Sequence, residues 1–342
     1  MNMENRMDFK AFKENLAQDV KEIIDERTGK NNTVEIRTVD KMNQTYEALT
    51  IKPENSSIGV NLDVTSLYSE YEDDASYDSI LSKSADIAVS ALDNRPKFNI
   101  DEFMVYAKMK DKLAIQVVSV ERNAALLKTV PHKNIEDMAV VYRFIIDDIG
   151  EGTGTILITN QMLEHYGITA EQLHVDAVEN APKNRPIVIK GMSEVLTEMM
   201  GVEKAERLGF YPIEPEDERI FVASVPDNVH GAGVLAYPDF MDQAAERVGG
   251  DFYILPSSIH ELLIVPDTGE MELTDLKNMV QTVNATEVAP EDKLTDSVYH
   301  YDIKNKFFEL GEKFIERQSA TKVLSFNEHR ERKQENYLEG NM

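Results

Sequence analysis

Between residues 9 and 64 the apolar side chains change period once, and few folds accommodate that change. Phe9, Phe12, Leu16, Val20 and Ile23 recur at spacings of 3, 4, 4 and 3, the repeat of one helical face. Gly29 follows where a helix ends on a left-handed residue. Three runs of strand character come next, at residues 33–39, 46–51 and 58–64, separated by Asn43-Gln44 and Glu54-Asn55-Ser56-Ser57. Polar turns between such runs predict an antiparallel meander.

The same reading carries along the chain. A helix is predicted over 77–92, with Tyr77, Ile80, Leu81, Ile87, Ala88 and Ala91 on one side. Glu70, Glu72, Asp73 and Asp74 precede it, where carboxylates complement the helix dipole; they lack the alternating ligands and central glycine of a calcium loop. Longer strands are expected at 113–120 and 138–147, with Pro131, His132 and Lys133 in the loop between them. The glycine-rich stretch 150–155 has no Lys-Ser/Thr for phosphate and reads as a hairpin into a strand at 155–159.

Thr169 and Gln172 form a capping-box pair for a helix over 170–179, with Pro182 and Pro186 interrupting the chain before a strand at 187–189. A helix over 193–200 ends at Gly201, and 211–218, with two prolines and four acids, reads as a solvated linker. Then come a strand at 220–225, a helix between Pro238 and Gly249, strands at 252–255 and 259–265, and a turn at Asp267-Thr268-Gly269. Thr274 is expected to cap a helix that turns Leu276, Met279, Val280 and Val283 inward, ahead of a strand at 298–303. Phe307, Leu310, Phe314 and Ile315 suggest an amphipathic helical stretch, and 327–342 a polar, frayed end. The class is α+β: an antiparallel meander with N-terminal helices, then a mixed strand/helix C-terminal half. The divisions expected are 1–150 and 151–303, as two lobes or one domain, and a charged tail at 304–342.

Composition narrows function. Of 342 residues, 36 are Lys or Arg and 62 Asp or Glu, a net charge of −26, and there is no Cys. Disulfides, thiolate metal sites, iron–sulfur clusters and cysteine nucleophiles are thereby excluded. Direct nucleic-acid binding is disfavoured, since it depends on neutralising phosphate. No apolar run of about 18 residues spans a membrane, and residues 1–13 lack a signal-peptide core, so a soluble cytoplasmic protein is expected.

The candidates for chemistry lie in the last third. His260-Glu261 opens a zinc-type His-Glu-x-x-His motif, but Leu262, Leu263 and Ile264 follow and the second His is missing. In a strand the two side chains would also point to opposite faces. His230 stands in Pro226-Asp227-Asn228-Val229-His230-Gly231-Ala232-Gly233, which reads as turn chemistry or as a general base in a loop. Tyr237 and Asp239 lie just beyond. Gly191-Met192-Ser193-Glu194-Val195 lacks the second glycine of a nucleophile elbow, and the 15 methionines read as core fillers. The region 63–102 holds ten acids against three bases, a face that could imitate nucleic-acid phosphates.

Several blocks carry a resemblance. They are Phe252-Tyr253-Ile254-Leu255-Pro256-Ser257-Ser258-Ile259-His260-Glu261, Val265-Pro266-Asp267-Thr268-Gly269, Ile158-Thr159-Asn160-Gln161-Met162-Leu163 and the segment from Val175 to Asn180. Through them the chain resembles an uncharacterised bacterial domain family of unknown function, often carried on mobile elements. The resemblance runs from the first helix to about residue 303 and implies a shared fold and a bacterial cytoplasmic setting. It transfers no catalytic residue. No cofactor, metal, nucleic acid or membrane is expected as a partner, and the oligomeric state stays open. The leading expectation is a non-catalytic interaction protein with an unidentified protein partner. The alternatives are a hydrolase using His230, Tyr237, Asp239 and His260, and an acidic nucleic-acid mimic that blocks a basic protein.

Overall fold

A computed structural model of the chain describes residues 6–54, 56, 59–94, 100–149, 152–209, 213 and 217–320. The first helix, α1 (Phe9–Thr28), starts at Asp8, which accepts from Ala11 N, and stops at Gly29 with φ 63°. Both devices satisfy backbone groups that a helix end leaves open. Its buried face is Phe12, Leu16, Val20 and Ile24, so Ile24 rather than Ile23 closes the stripe. The strands β1 (Asn32–Lys41), β2 (Gln44–Pro53) and β3 (Val60–Asp63) form the antiparallel meander in that order. Asn43 makes the first turn with φ 60°; Asn55, Ser57 and Ile58 lie outside the described residues.

The acidic cluster is placed differently from its prediction. Asp63 caps a further helix, α2 (Val64–Glu72), that buries Val64, Leu67 and Tyr71, so Glu70 and Glu72 sit on a helix rather than ahead of one. Ser76 caps α3 (Tyr77–Asp93), which buries Ile80, Ser84, Ala85, Ala88 and Leu92. Ile87 is instead 45% exposed, because the buried stripe includes small Ser84 and Ala85 and turns away from it. Phe12, Leu16, Leu49, Ile51, Leu67 and Ile80 belong to one apolar core shared by α1, the meander, α2 and α3.

Two short helices, α4 (Ile100–Phe103) and α5 (Tyr106–Met109), lead to β4 (Leu113–Ser119). The predicted loop at Pro131, His132 and Lys133 contains a strand, β5 (His132–Ile135), paired antiparallel with β6 (Met138–Ile149). Its first three side chains are exposed, which hides it from an apolar-run reading. β6 also pairs with β4 and with β7 (Gly152–Leu157); Gly150 and Glu151 lie outside the described residues.

Thr159 caps α6 (Asn160–Tyr166), and Thr169 caps α7 (Ala170–Asn184) by accepting from Gln172 N. Pro182 was expected to break the chain and lies inside α7. The helix continues because Arg185 N still donates to Ala181 O at 2.9 Å, while Asn184 Nδ2 anchors on the carbonyls of Asp111 and Leu113.

The remaining elements are β8 (Val188–Gly191), α8 (Met192–Met200), α9 (Val202–Arg207), β9 (Phe221–Ser224), α10 (Phe240–Val248), β10 (Phe252–Leu255), β11 (Leu262–Pro266), α11 (Leu273–Thr286), β12 (Tyr299–Asp302) and β13 (Phe307–Leu310). A six-stranded antiparallel sheet runs β13-β12-β10-β11-β9-β8. Glu272, not Thr274, is the N-cap of α11. Phe307 and Leu310 lie on an edge strand rather than a helix, and the helix begins after them, over residues 311–320. Tyr253, Leu255, Val265, Leu276, Val280, Val298 and Phe314 pack as one core on this sheet. Residues 327–342 lie outside the described residues.

Among the described residues 46% are helical and 26% lie in strands, and the class is α+β. The chain forms two compact units: residues 1–105, 122–128 and 145–156 in one, and 106–121, 129–144 and 157–342 in the other. No helix among the described residues is long and apolar enough to cross a membrane.

Candidate functional site

The loop after β9 bends through two left-handed residues that are not glycine, Asn228 and His230, both with φ 56°, a conformation histidine adopts only occasionally. Two contacts support it. Asp227 Oδ1 accepts from Val229 N at 3.2 Å and from the guanidinium of Arg185, which is 6% exposed. Burial works against the Asp227 carboxylate, yet the hydrogen bond and charge of Arg185 hold it below its ordinary range. Beyond His230 a 3₁₀ helix spans Gly231–Ala236. A Cβ on Gly231 would collide with Ser224 Oγ and the His260 carbonyl, and one on Gly233 with the Ile115 carbonyl. Both glycines are required by close backbone approach.

This approach stacks the His230 and His260 rings, with centroids 6.0 Å apart and planes inclined by 9°. His260 Nδ1 lies 3.3 Å from His230 N and 3.1 Å from Asn228 O, and its Nε2 lies 3.2 Å from Asp292 Oδ1. With the proton on Nε2, Nδ1 accepts from the His230 amide and Asp292 accepts from Nε2, so both nitrogens are engaged. His230 differs. Burial, reinforced by the positive charges around it, Arg143 first, pushes its pKa down to about 3 against the pull of Asp227. The ring is neutral at pH 7, and its buried Nδ1 has no hydrogen-bond partner.

The other predicted residues divide. Tyr237 is 4% exposed; burial pushes its phenol up to about 12, and the charges of Arg185 and Asp227 act on it in opposite directions. Asp239 is exposed and accepts from Gln243 Nε2 at 2.7 Å on the first turn of α10, an environment of its own. Glu261 does not lie in a strand as predicted, since β11 begins at Leu262; burial raises its pKa. Ser224 Oγ donates to the His260 carbonyl at 2.7 Å rather than to a ring nitrogen. The structure therefore brings His230 and His260 together, with Tyr237 under the same charges, and leaves Asp239 apart. Among the described residues no three His, Cys, Asp or Glu are grouped to hold a metal ion.

Sequence reasoning passed over Arg185 and Asp292, which come from a helix end and a turn with no periodic signal. It also passed over a second locus. Glu218, read as part of a solvated linker, is 8% exposed, and its Oε2 accepts from Ser193 Oγ at 2.6 Å and Ser193 N at 3.2 Å. The two residues wall a cavity of about 270 Å³ beside α8, with Gly191, Thr197, Ile213, Phe221 and Arg247. Next to it in the chain, Met199, Val202, Leu208 and Ile213 are 79, 58, 59 and 48% exposed. In the acidic region, Glu70 pairs with Lys83 at 2.8 Å, Asp74 with Arg6 at 2.7 Å and Asp86 with Arg27 at 2.5 Å.

A family of unknown function, DUF5688, matches residues 9–303, and the chain belongs to it. No curated protein and no solved structure matches the chain.

Proposed function

We propose that this family member acts without catalysis, by docking a partner protein on the α8–α9 face. The observation that carries the reading is the number of exposed apolar side chains in the short stretch of chain that holds α8 and α9. Of the twelve large hydrophobic residues exposed among those described, four lie between Met199 and Ile213. Single exposed apolar residues are ordinary, whereas several together mark a contact surface. The partner is a basic protein, because a chain of net charge −26 steers and selects partners of positive charge. The setting is the bacterial cytoplasm, to which a chain without cysteine is suited; carriage on mobile elements rests on the resemblance alone. On this reading the engaged ring nitrogens of His260 and the neutral, half-buried His230 hold the loop after β9 in place.

The test compares affinity capture from the native host by the full chain and by a Met199→Glu/Leu208→Glu double variant of unchanged circular dichroism. The proposal expects one basic protein whose recovery falls at least about tenfold in the variant, the effect of losing about 1.4 kcal/mol of contact. Equal recovery with both baits overturns it. So does concentration-dependent self-association abolished by the same substitutions, which would assign the face to a second copy of this chain.

A further inference from the structure

We propose that the cavity beside α8 binds an organic monocation, a primary ammonium or guanidinium borne on a short apolar chain, with Glu218 as the group that recognises it. The site lies on the helix of the docking face but does not rest on that reading.

Glu218 is the reason. A carboxylate withdrawn from water is costly unless a cation or several donors compensate it. Glu218 is 8% exposed, and its Oε2 accepts from Ser193 N and Ser193 Oγ in the first turn of α8, whose N-cap Gly191 offers no side chain, so these hydrogen bonds and the helix dipole offset part of that cost and no cation offsets the rest. It forms no ion pair with any described residue. The carboxylate is held in this place by packing: Gly191 leaves room for it, since a Cβ there would collide with Glu218 Oε2. An anion fixed by its neighbours, without a counter-ion, and on the wall of a cavity is preorganised for a positive charge.

The surroundings set the valence and shape. Among the described residues, three carboxylates, of Glu194, Glu198 and Glu218, line the cavity against one cation, Arg247. Lys190 pairs with Glu198 at 2.5 Å, so the described residues around the cavity carry one net negative charge. Arg247 does not cancel it by contact with Glu218; its guanidinium lies over the Phe221 ring, 5.8 Å from the centroid. Phe221 and Ile213 supply apolar wall, so a bare metal ion would leave much of the surface uncontacted. A volume of about 270 Å³ lies just below the range of drug-sized sites and suits a chain of a few carbons.

The test uses isotope-labelled full-length protein and n-butylammonium, with butyrate and n-butanol as anionic and neutral controls of the same length. Saturable amide shifts at Ser193 and Thr197 are expected with n-butylammonium only, and Glu218→Gln should weaken binding at least about tenfold. Thr197→Met, which fills the cavity and leaves Glu218 intact, should abolish the shifts and gives an answer even if Glu218→Gln fails to fold. The Met199→Glu/Leu208→Glu protein should bind n-butylammonium as the parent does, which separates this site from the docking face. Comparable binding of Nα-acetyl-lysine methylamide would place the cation on a polypeptide side chain, and its exclusion would place it on a free amine; both support the site. Absence of saturable shifts, equal response to butyrate, or undiminished binding in the folded variants overturns the proposal.

Discussion

Lowering the pH should destabilise the fold through His230 in particular. Its pKa in the native protein is about 3, against about 6.5 in an unfolded chain. Between those values the unfolded state carries a proton that the folded state refuses, so stability falls as pH drops through 6.5 and keeps falling toward 3. From about pH 7.5 to about pH 5 the gap opened is about 1.5 units, or about 2 kcal/mol at 1.36 kcal/mol per unit. His300, whose pKa is lowered chiefly by burial against the opposing pull of Asp267, acts in the same direction, so the parent protein alone cannot isolate the term. His230→Asn can. Asparagine tolerates the left-handed backbone at this position and carries no proton equilibrium. Urea titrations of both proteins at the two pH values, followed by circular dichroism, give a double difference in which the other groups cancel. The variant should lose about 2 kcal/mol less than the parent on acidification. Parallel losses in the two proteins, or a His230 ring that titrates near 6.5 by NMR, would refute the reasoning.

Two further substitutions probe the packing. Phe314 is 5% exposed and stacks on the wholly buried His300 with centroids 3.5 Å apart, so Phe314→Ala should cost about 3 kcal/mol in urea titration; a cost below about 1 kcal/mol would detach residues 311–320 from the core. Gly231→Ala should cost about 2 kcal/mol or more by overpacking against Ser224 and the His260 carbonyl, measured in the same way, and a neutral result would mean that the loop after β9 is not held as described.

The legible parts of the chain were those where burial follows a single period. The stripe from Phe9 onward, the cap at Thr169, and the glycines at 29 and 249 each marked an end of helix α1, α7 or α10, because each device acts within a few residues. What stayed hidden depended on distant partners. β5 has exposed side chains and exists by pairing with β6. Pro182 is tolerated because Asn184 reaches carbonyls near β4. Phe307 and Leu310 follow a helical spacing until β12 offers an edge to pair with. The site was half visible: His230 and His260 stood out by residue type, and glycines flanked the first. Asp292, Arg185 and Glu218 did not: Asp292 reaches His260 across the fold, and the burial of Arg185 and Glu218 arises only from tertiary packing, which leaves no local mark. Phe314, eleven residues beyond the family match that ends at 303, shows that the core extends past the matched segment.

The docking face is tested most directly by a photo-crosslinking side chain placed at position 199, with position 87 as a control of substantial exposure in the other unit. Irradiation in the native host should yield one adduct with a basic protein from position 199 and none from position 87. No adduct from 199, or the same adducts from both positions, would contradict the account.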